Sequence, residues 1–142
     1  MKKLFLLMAI AMMTIGVTNA QEIKGKVYCE LVGTQKFFSS QVTVDVDFGQ
    51  ARKAFVSQSL VDEKTGKKIS FNSMVDAMNF MGALGWEFEN AYAITMGSQN
   101  VYHWLLSKYI TDDVNINDGF TTKQQFKEKQ LSQEENQEGA EE

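Results

Sequence analysis

Proline is absent from the 142 residues, and cysteine and histidine occur once each, as Cys29 and His103. A single cysteine cannot close an intramolecular disulfide, so packing must hold the fold together. The same scarcity removes paired-cysteine zinc sites and the HExxH helix of metalloproteases, and no Gly-rich phosphate loop occurs. Basic residues are in deficit, 14 Lys and Arg against 18 Asp and Glu. That leaves no strongly cationic face to displace counterions, so nucleic acid is not expected as a partner. Without proline, an edge strand lacks one of the usual protections against pairing with another chain, and self-association through a sheet edge is one expected behaviour.

Long apolar runs are also scarce. One occurs, from Leu4 to Val17, preceded by Lys2 and Lys3 and followed by Thr18, Asn19 and Ala20. A positive start, a short apolar stretch and small residues before a cut are the layout of a secretory signal peptide, which predicts a leader over residues 1–20 and a mature chain from Gln21. The run is shorter than the roughly 20 residues a spanning helix needs, and none follows it, so no membrane span is expected in the mature chain. Cys29 lies well past the proposed cut and is not placed as an acylated lipoprotein cysteine. We read it as a small buried hydrophobe rather than a catalytic thiol. A periplasmic or secreted protein is expected.

Residues 21–142 suffice for one domain of common size. Charge divides them unevenly: residues 21–110 carry 9 basic and 9 acidic side chains, and residues 111–142 carry 3 and 9. Leu131 to Glu142 contain five Glu and no aromatic, a composition that buries too little apolar surface to offset chain entropy. The expected organisation is a single α+β domain over 21–110 and a polar to acidic, largely disordered tail over 111–142.

Within the body, Lys26–Val32 alternates, with Val27, Cys29 and Leu31 on one side and Tyr28, Glu30 and Val32 on the other. Gln41–Phe48 sets Val42, Val44, Val46 and Phe48 against Thr43, Asp45 and Asp47. Both predict strands with one wet face, joined as a hairpin. Residues 50–60 read as strand or helix, with strand favoured. Gly66 serves a turn between two short strands. Asn72 or Ser73 caps a helix whose apolar residues Met74, Val75, Met78, Met81 and Leu84 recur at helical spacing. Gly85 stops it, and Gly82 is expected where helix and strand cross closely. In the next strand Trp86, Phe88, Tyr92 and Ile94 share a parity against Glu87 and Glu89, which predicts an aromatic side packed on the helix. Val101–Tyr109 returns as a central strand, completing a second hairpin. The expected fold is thus an antiparallel sheet of about four to five strands with one helix on one face.

The run Met81-Gly82-Ala83-Leu84-Gly85-Trp86-Glu87-Phe88 and the later Tyr102-His103-Trp104-Leu105-Leu106-Ser107-Lys108 resemble small bacterial domains of unknown function that share an "LGxxGWE" helix-to-strand junction. The body as a whole is similar to small exported bacterial proteins of unknown function. The junction resemblance covers about forty residues and implies a helix on an antiparallel sheet, with no catalytic residue transferred.

Catalytic parts are few. The sole histidine sits between aromatics, and the pairs Asp45/Asp47 and Glu87/Glu89, each roughly 7 Å apart along a strand face, read as solvated faces before hydrolytic pairs. The Asp112–Gly119 stretch lacks the closing Glu of a calcium loop. No catalytic, cofactor or metal residue is assigned. The preferred function is a noncatalytic binding or interaction module for a protein or small-molecule ligand, with Phe37, Phe38, Tyr92, Tyr102 and His103 as candidate surface. The alternative is a small hydrolase or metal-dependent enzyme using His103 and nearby carboxylates.

Overall fold

The computed structural model describes residues 23–35, 39–97 and 99–138. The expected leader, Gln21, the candidate residues Phe37 and Phe38, and the last residues of the tail lie outside the described residues. In chain order the elements are β1 (Ile23–Gln35), β2 (Val42–Asp47), β3 (Leu60–Val61), α1 (Met74–Ala83), β4 (Glu87–Met96), β5 (Gln99–Thr111), β6 (Thr121–Thr122) and α2 (Lys123–Glu138). The fold is α+β. Four antiparallel strands run in the order β2-β1-β5-β4, and β3 pairs with β6 in a second, two-stranded sheet. Both expected hairpins form, and β5 is central as its two apolar faces predicted. No helix among the described residues is long and apolar enough to cross a membrane.

Alternation dictates which side of the large sheet is dry. Cys29, Leu31, Val42, Val44, Val46 and Leu106 are buried on one face, beneath Met74, Ala77 and Met81 of α1 and beside Trp86 and Phe120. Ser73 caps α1 by accepting from the Asp76 amide at 3.2 Å, while the Asp76 carboxylate accepts from the Asn72 amide at 3.0 Å. This reciprocal arrangement satisfies donors the first helical turn would leave open. The helix ends at Gly85, whose φ of +85° suits a residue without Cβ. Two details differ from the helical pattern. Val75 is exposed rather than core. The close crossing is at Gly33 of β1, where a Cβ would come within 2.0 Å of Met74 Sδ, whereas a Cβ at Gly82 would meet nothing.

β4 departs furthest from its predicted form. Its register on β5 shifts between Phe88 and Asn90, leaving Glu89 as the extra residue of a bulge. Because side chains alternate with period two, one inserted residue reverses every face beyond it. Trp86 and Phe88 therefore lie on the core side, and Tyr92 and Ile94 face the other way, instead of forming one aromatic side. Nor does β4 bury itself against α1, since every residue from Glu87 to Met96 is exposed.

The strand expected between Gln50 and Ser59 does not form; residues 51–57 are turn and coil. Their polar groups are held by amide side chains. Gln124 Oε1 accepts from the Lys53 amide at 3.0 Å and from Gln58 Nε2 at 2.6 Å, and Gln124 Nε2 donates to the Ala51 carbonyl at 3.0 Å. The turn at Gly66 is present, with φ +63°, between short pairings of Leu60–Val61 with the 67–69 segment.

The chain does not cease to fold at Ile110. Phe120, Thr122 and Gln124 are buried, and α2 occupies residues placed in the expected disordered tail, so the helix count is two, not one. The physical reason is a second capping box: Gln125 Oε1 accepts from the Thr122 amide at 2.9 Å, and Thr122 Oγ1 accepts from the Gln125 amide at 3.4 Å. Beyond residue 130 the described side chains of α2 are exposed, in keeping with their acidic composition.

Candidate functional site

The face of the large sheet opposite α1 is built from β1, β4 and β5. Pairing places Lys26 beside Tyr109, Tyr28 beside Ser107, Glu30 beside Leu105 and Val32 beside His103. On the other flank of β5, Tyr92 lies beside His103 and Ile94 beside Val101. Large apolar side chains on this face remain open to solvent: Tyr28 is 51% exposed, Tyr92 51%, Ile94 46%, Met96 67% and Tyr109 60%. Single exposed apolar residues are ordinary; here five of them share one sheet face.

Two polar groupings are set among them. In the first, the rings of Tyr92 and His103 stack at 4.7 Å with an interplanar angle of 3°. Tyr92 Oη donates to Glu30 Oε1 at 3.0 Å. That bond, followed by partial desolvation and the Glu30 charge, holds the Tyr92 phenol above its ordinary range. His103 Nδ1 is 3.3 Å from the same carboxylate oxygen but off the line of a hydrogen bond, and it is buried with no hydrogen-bond partner among the described residues. The approach to Glu30 is therefore a contact rather than a directed bond. Glu30 also lies opposite Asp47 across the β1–β2 pair. Like charges in that relation are unfavourable, and Arg52 answers the second of them at 2.5 Å from Asp47 Oδ2.

The second grouping uses the bulge. Glu89 Oε1 accepts from Ser107 Oγ at 2.5 Å and forms an ion pair with Lys26 Nζ. Lys26 Nζ in turn lies 5.4 Å from the Tyr28 ring centroid and 6.0 Å from that of Tyr109, within cation–π range. The hydrogen bond from Lys26 holds the Glu89 carboxyl below its usual value, and the same bond holds the Lys26 ammonium above its own. Lys26 and Glu89 are each about a third exposed, so solvent screens the pair and it stabilises the fold only weakly.

Of the sequence-predicted surface residues, Tyr92 and His103 come together here. Tyr102 does not; it is half-buried on the core side, where it lines a groove of about 330 Å³ with Trp104, Val42, Met74, Val75 and Asn72. Residues the prediction did not include, Lys26, Tyr28, Glu30, Glu89 and Tyr109, make up much of the open face. The alternation of β1 already separated Tyr28 and Glu30 from the core residues and that of β4 set Glu89 opposite Trp86 and Phe88, whereas Tyr92 and Ile94 reach this face through the bulge. Cys29 is buried on the opposite side, and burial, with a lesser contribution from Asp47, pushes its thiol up to about 12.

Chemically, the face offers flat aromatic and aliphatic area with fixed charges of both signs. Neither the 330 Å³ groove nor a smaller one of about 170 Å³ between Phe80 and Phe120 is lined by His103. No group of three or more His, Cys, Asp or Glu side chains among the described residues is arranged to hold a metal ion. Comparisons of the chain with family models, curated proteins and solved structures find no match.

Proposed function

We propose that this chain is a noncatalytic binding module that engages a protein or small-molecule ligand through the outer face of its large sheet. The observation that carries the reading is the separation of the two faces. One buries the core under α1, and the other leaves Tyr28, Tyr92, Ile94, Met96 and Tyr109 open around the fixed Lys26–Glu89 and Glu30–Tyr92 pairs. Tyrosines on a rigid strand offer large contact area at small entropic cost, which suits recognition. The leader-like segment at residues 1–20 and the likeness of the body as a whole to small exported bacterial proteins of unknown function support action outside the cytoplasm.

The test is affinity capture from the cell envelope with three versions of the chain: unchanged, Tyr28→Ser with Tyr109→Ser, and Val75→Ser as a control on the helix. A ligand retained by the first and third and lost by the second supports the reading, provided circular dichroism shows all three folded. A ligand retained equally by all three contradicts it.

A second reading, a small hydrolase centred on His103, draws on the 3.3 Å approach of Glu30 Oε1 to Nδ1 and on Asp47 standing opposite Glu30. It is the weaker one, because these groups lie on an open face and not in a cleft that would exclude water from a reaction.

A further inference from the structure

The two edges of the large sheet are treated differently. At the β2 edge, Val42 exchanges backbone hydrogen bonds with Phe71 at 2.9 Å in both directions, and the Val46 amide donates to the Gln58 carbonyl at 3.1 Å. Those segments cover the strand. At the other edge, β4 runs for ten residues, every one exposed, and among the described residues no backbone bond from another segment reaches its outer side. Uncovered edges are ordinarily blunted by charge, proline or shortness. Here the bulge at Glu89 and the acid Glu87 protect only the first residues. Asn90-Ala91-Tyr92-Ala93-Ile94-Thr95-Met96 contains neither a charge nor a proline.

We infer that β4 is a self-pairing edge: a second copy of this chain adds its own β4 antiparallel to it, about a two-fold axis at Ala93, to give one continuous eight-stranded sheet. The sequence of the edge selects this occupant. Centring the axis on Ala93 sets Asn90 opposite Met96, Ala91 opposite Thr95 and Tyr92 opposite Ile94, so the whole uncharged run faces itself. Glu87 and Glu89 then lie outside the paired run, past the point where the other copy's chain turns from β4 into β5, rather than opposite each other, which avoids the like-charge cost. On the core side the seam carries only Ala91, Ala93 and Thr95, small enough for two sheets to abut. On the outer side it brings Tyr92 of each copy against Ile94 of the other, a favourable aromatic–aliphatic cross-strand pair. A two-fold interface of this kind is self-complementary and closed, so it stops at a dimer. The inference goes beyond the binding reading, because it concerns the backbone edge of β4, whose outer side chains Tyr92 and Ile94 also border the open face.

The test is the mass of the chain in solution by light scattering over a concentration series, with Ala93→Lys and Ala93→Glu versions measured singly and mixed. Position 93 is exposed, and circular dichroism checks that both versions keep the fold. The expected result is twice the chain mass for the unchanged protein, the single mass for each variant alone, and recovery of the double mass on mixing the two, since Lys then faces Glu across the axis. A monomer at all concentrations, or a dimer that Ala93→Lys leaves intact, overturns the inference. So does failure of the mixture to recover the dimer. None of these outcomes depends on whether the Tyr28→Ser, Tyr109→Ser protein loses a ligand.

Discussion

The Tyr92 ring stacks on the His103 imidazole, 4.7 Å away and 3° from parallel, while its hydroxyl reaches Glu30 on β1. One side chain thus ties β4, β5 and β1 together across the open face. Removing only the hydroxyl, as Tyr92→Phe, leaves the stack and frees Glu30. The expected outcome is an unchanged fold with loosened β4 amides, seen as faster hydrogen exchange from Asn90 to Met96; unchanged exchange would mean that the hydroxyl does not hold the strand.

Trp86 is buried at the junction of α1 and β4, yet its Nε1 has no hydrogen-bond partner among the described residues. Trp86→Ala should cost about 3–5 kcal/mol through loss of packing. Trp86→Phe should cost clearly less, because it also removes a buried donor whose desolvation is uncompensated. Urea unfolding of the three proteins checks the order, and equal losses for the two variants would contradict it.

Cys29 should behave as packing material. With its thiol pushed up to about 12 by burial, almost none is ionised at neutral pH, and the thiolate is the reactive form. A thiol-specific reagent is expected to label the chain only after denaturant is added. Stoichiometric labelling of the folded protein would show the thiol to be accessible.

Glu89 sits below its ordinary 4.5 and Lys26 above its ordinary 10.5, each because of the other. A depressed carboxylate contributes stability above its unfolded value, lost as pH falls through the folded one. A raised lysine contributes below its unfolded value, lost as pH rises through its folded one. The pair therefore acts between these limits. In Lys26→Met, Glu89 keeps only its bond from Ser107, and its carboxyl should titrate closer to the ordinary value; carbon-detected NMR of the Glu89 carboxyl reads this directly, and an unmoved titration would refute the coupling.

Gly66 answers two demands, a φ of +63° and a Cβ position 2.3 Å from Phe126 Cε1. Gly66→Ala should cost more than the roughly 1–2 kcal/mol of the left-handed backbone alone. In a Phe126→Leu background the same substitution should cost less, as the clash is relieved, and a double-mutant cycle on thermal unfolding measures the difference. An additive cycle would show that the ring is not the obstacle.

Where local chemistry and tertiary packing agree, the sequence was sufficient. Val42, Val44 and Val46 alternate with polar residues and lie buried, and Ser73, Asp76 and Gly85 bound the helix as their side chains require. The bulge was not legible, because nothing in Glu87-Phe88-Glu89-Asn90 distinguishes an inserted residue from a paired one; only register against β5 does, and with it went the facing of Tyr92 and Ile94. Thr122-Lys123-Gln124-Gln125 did carry a visible capping-box pattern, but the acidic composition after it outweighed that signal and concealed α2. The loop from Ala51 to Ser57 depends on Gln124, more than sixty residues away, a dependence that local propensity does not contain.

The most direct measurement places a photo-crosslinking phenylalanine analogue at Tyr109 on the outer face and, in a separate protein, at Val75 on α1, then irradiates each in the native envelope and identifies adducts by mass spectrometry. Both positions are exposed, so accessibility does not favour either. If the outer face is the binding surface, Tyr109 yields a specific adduct and Val75 does not. An adduct formed at Val75 alone, or equally at both positions, would contradict the account.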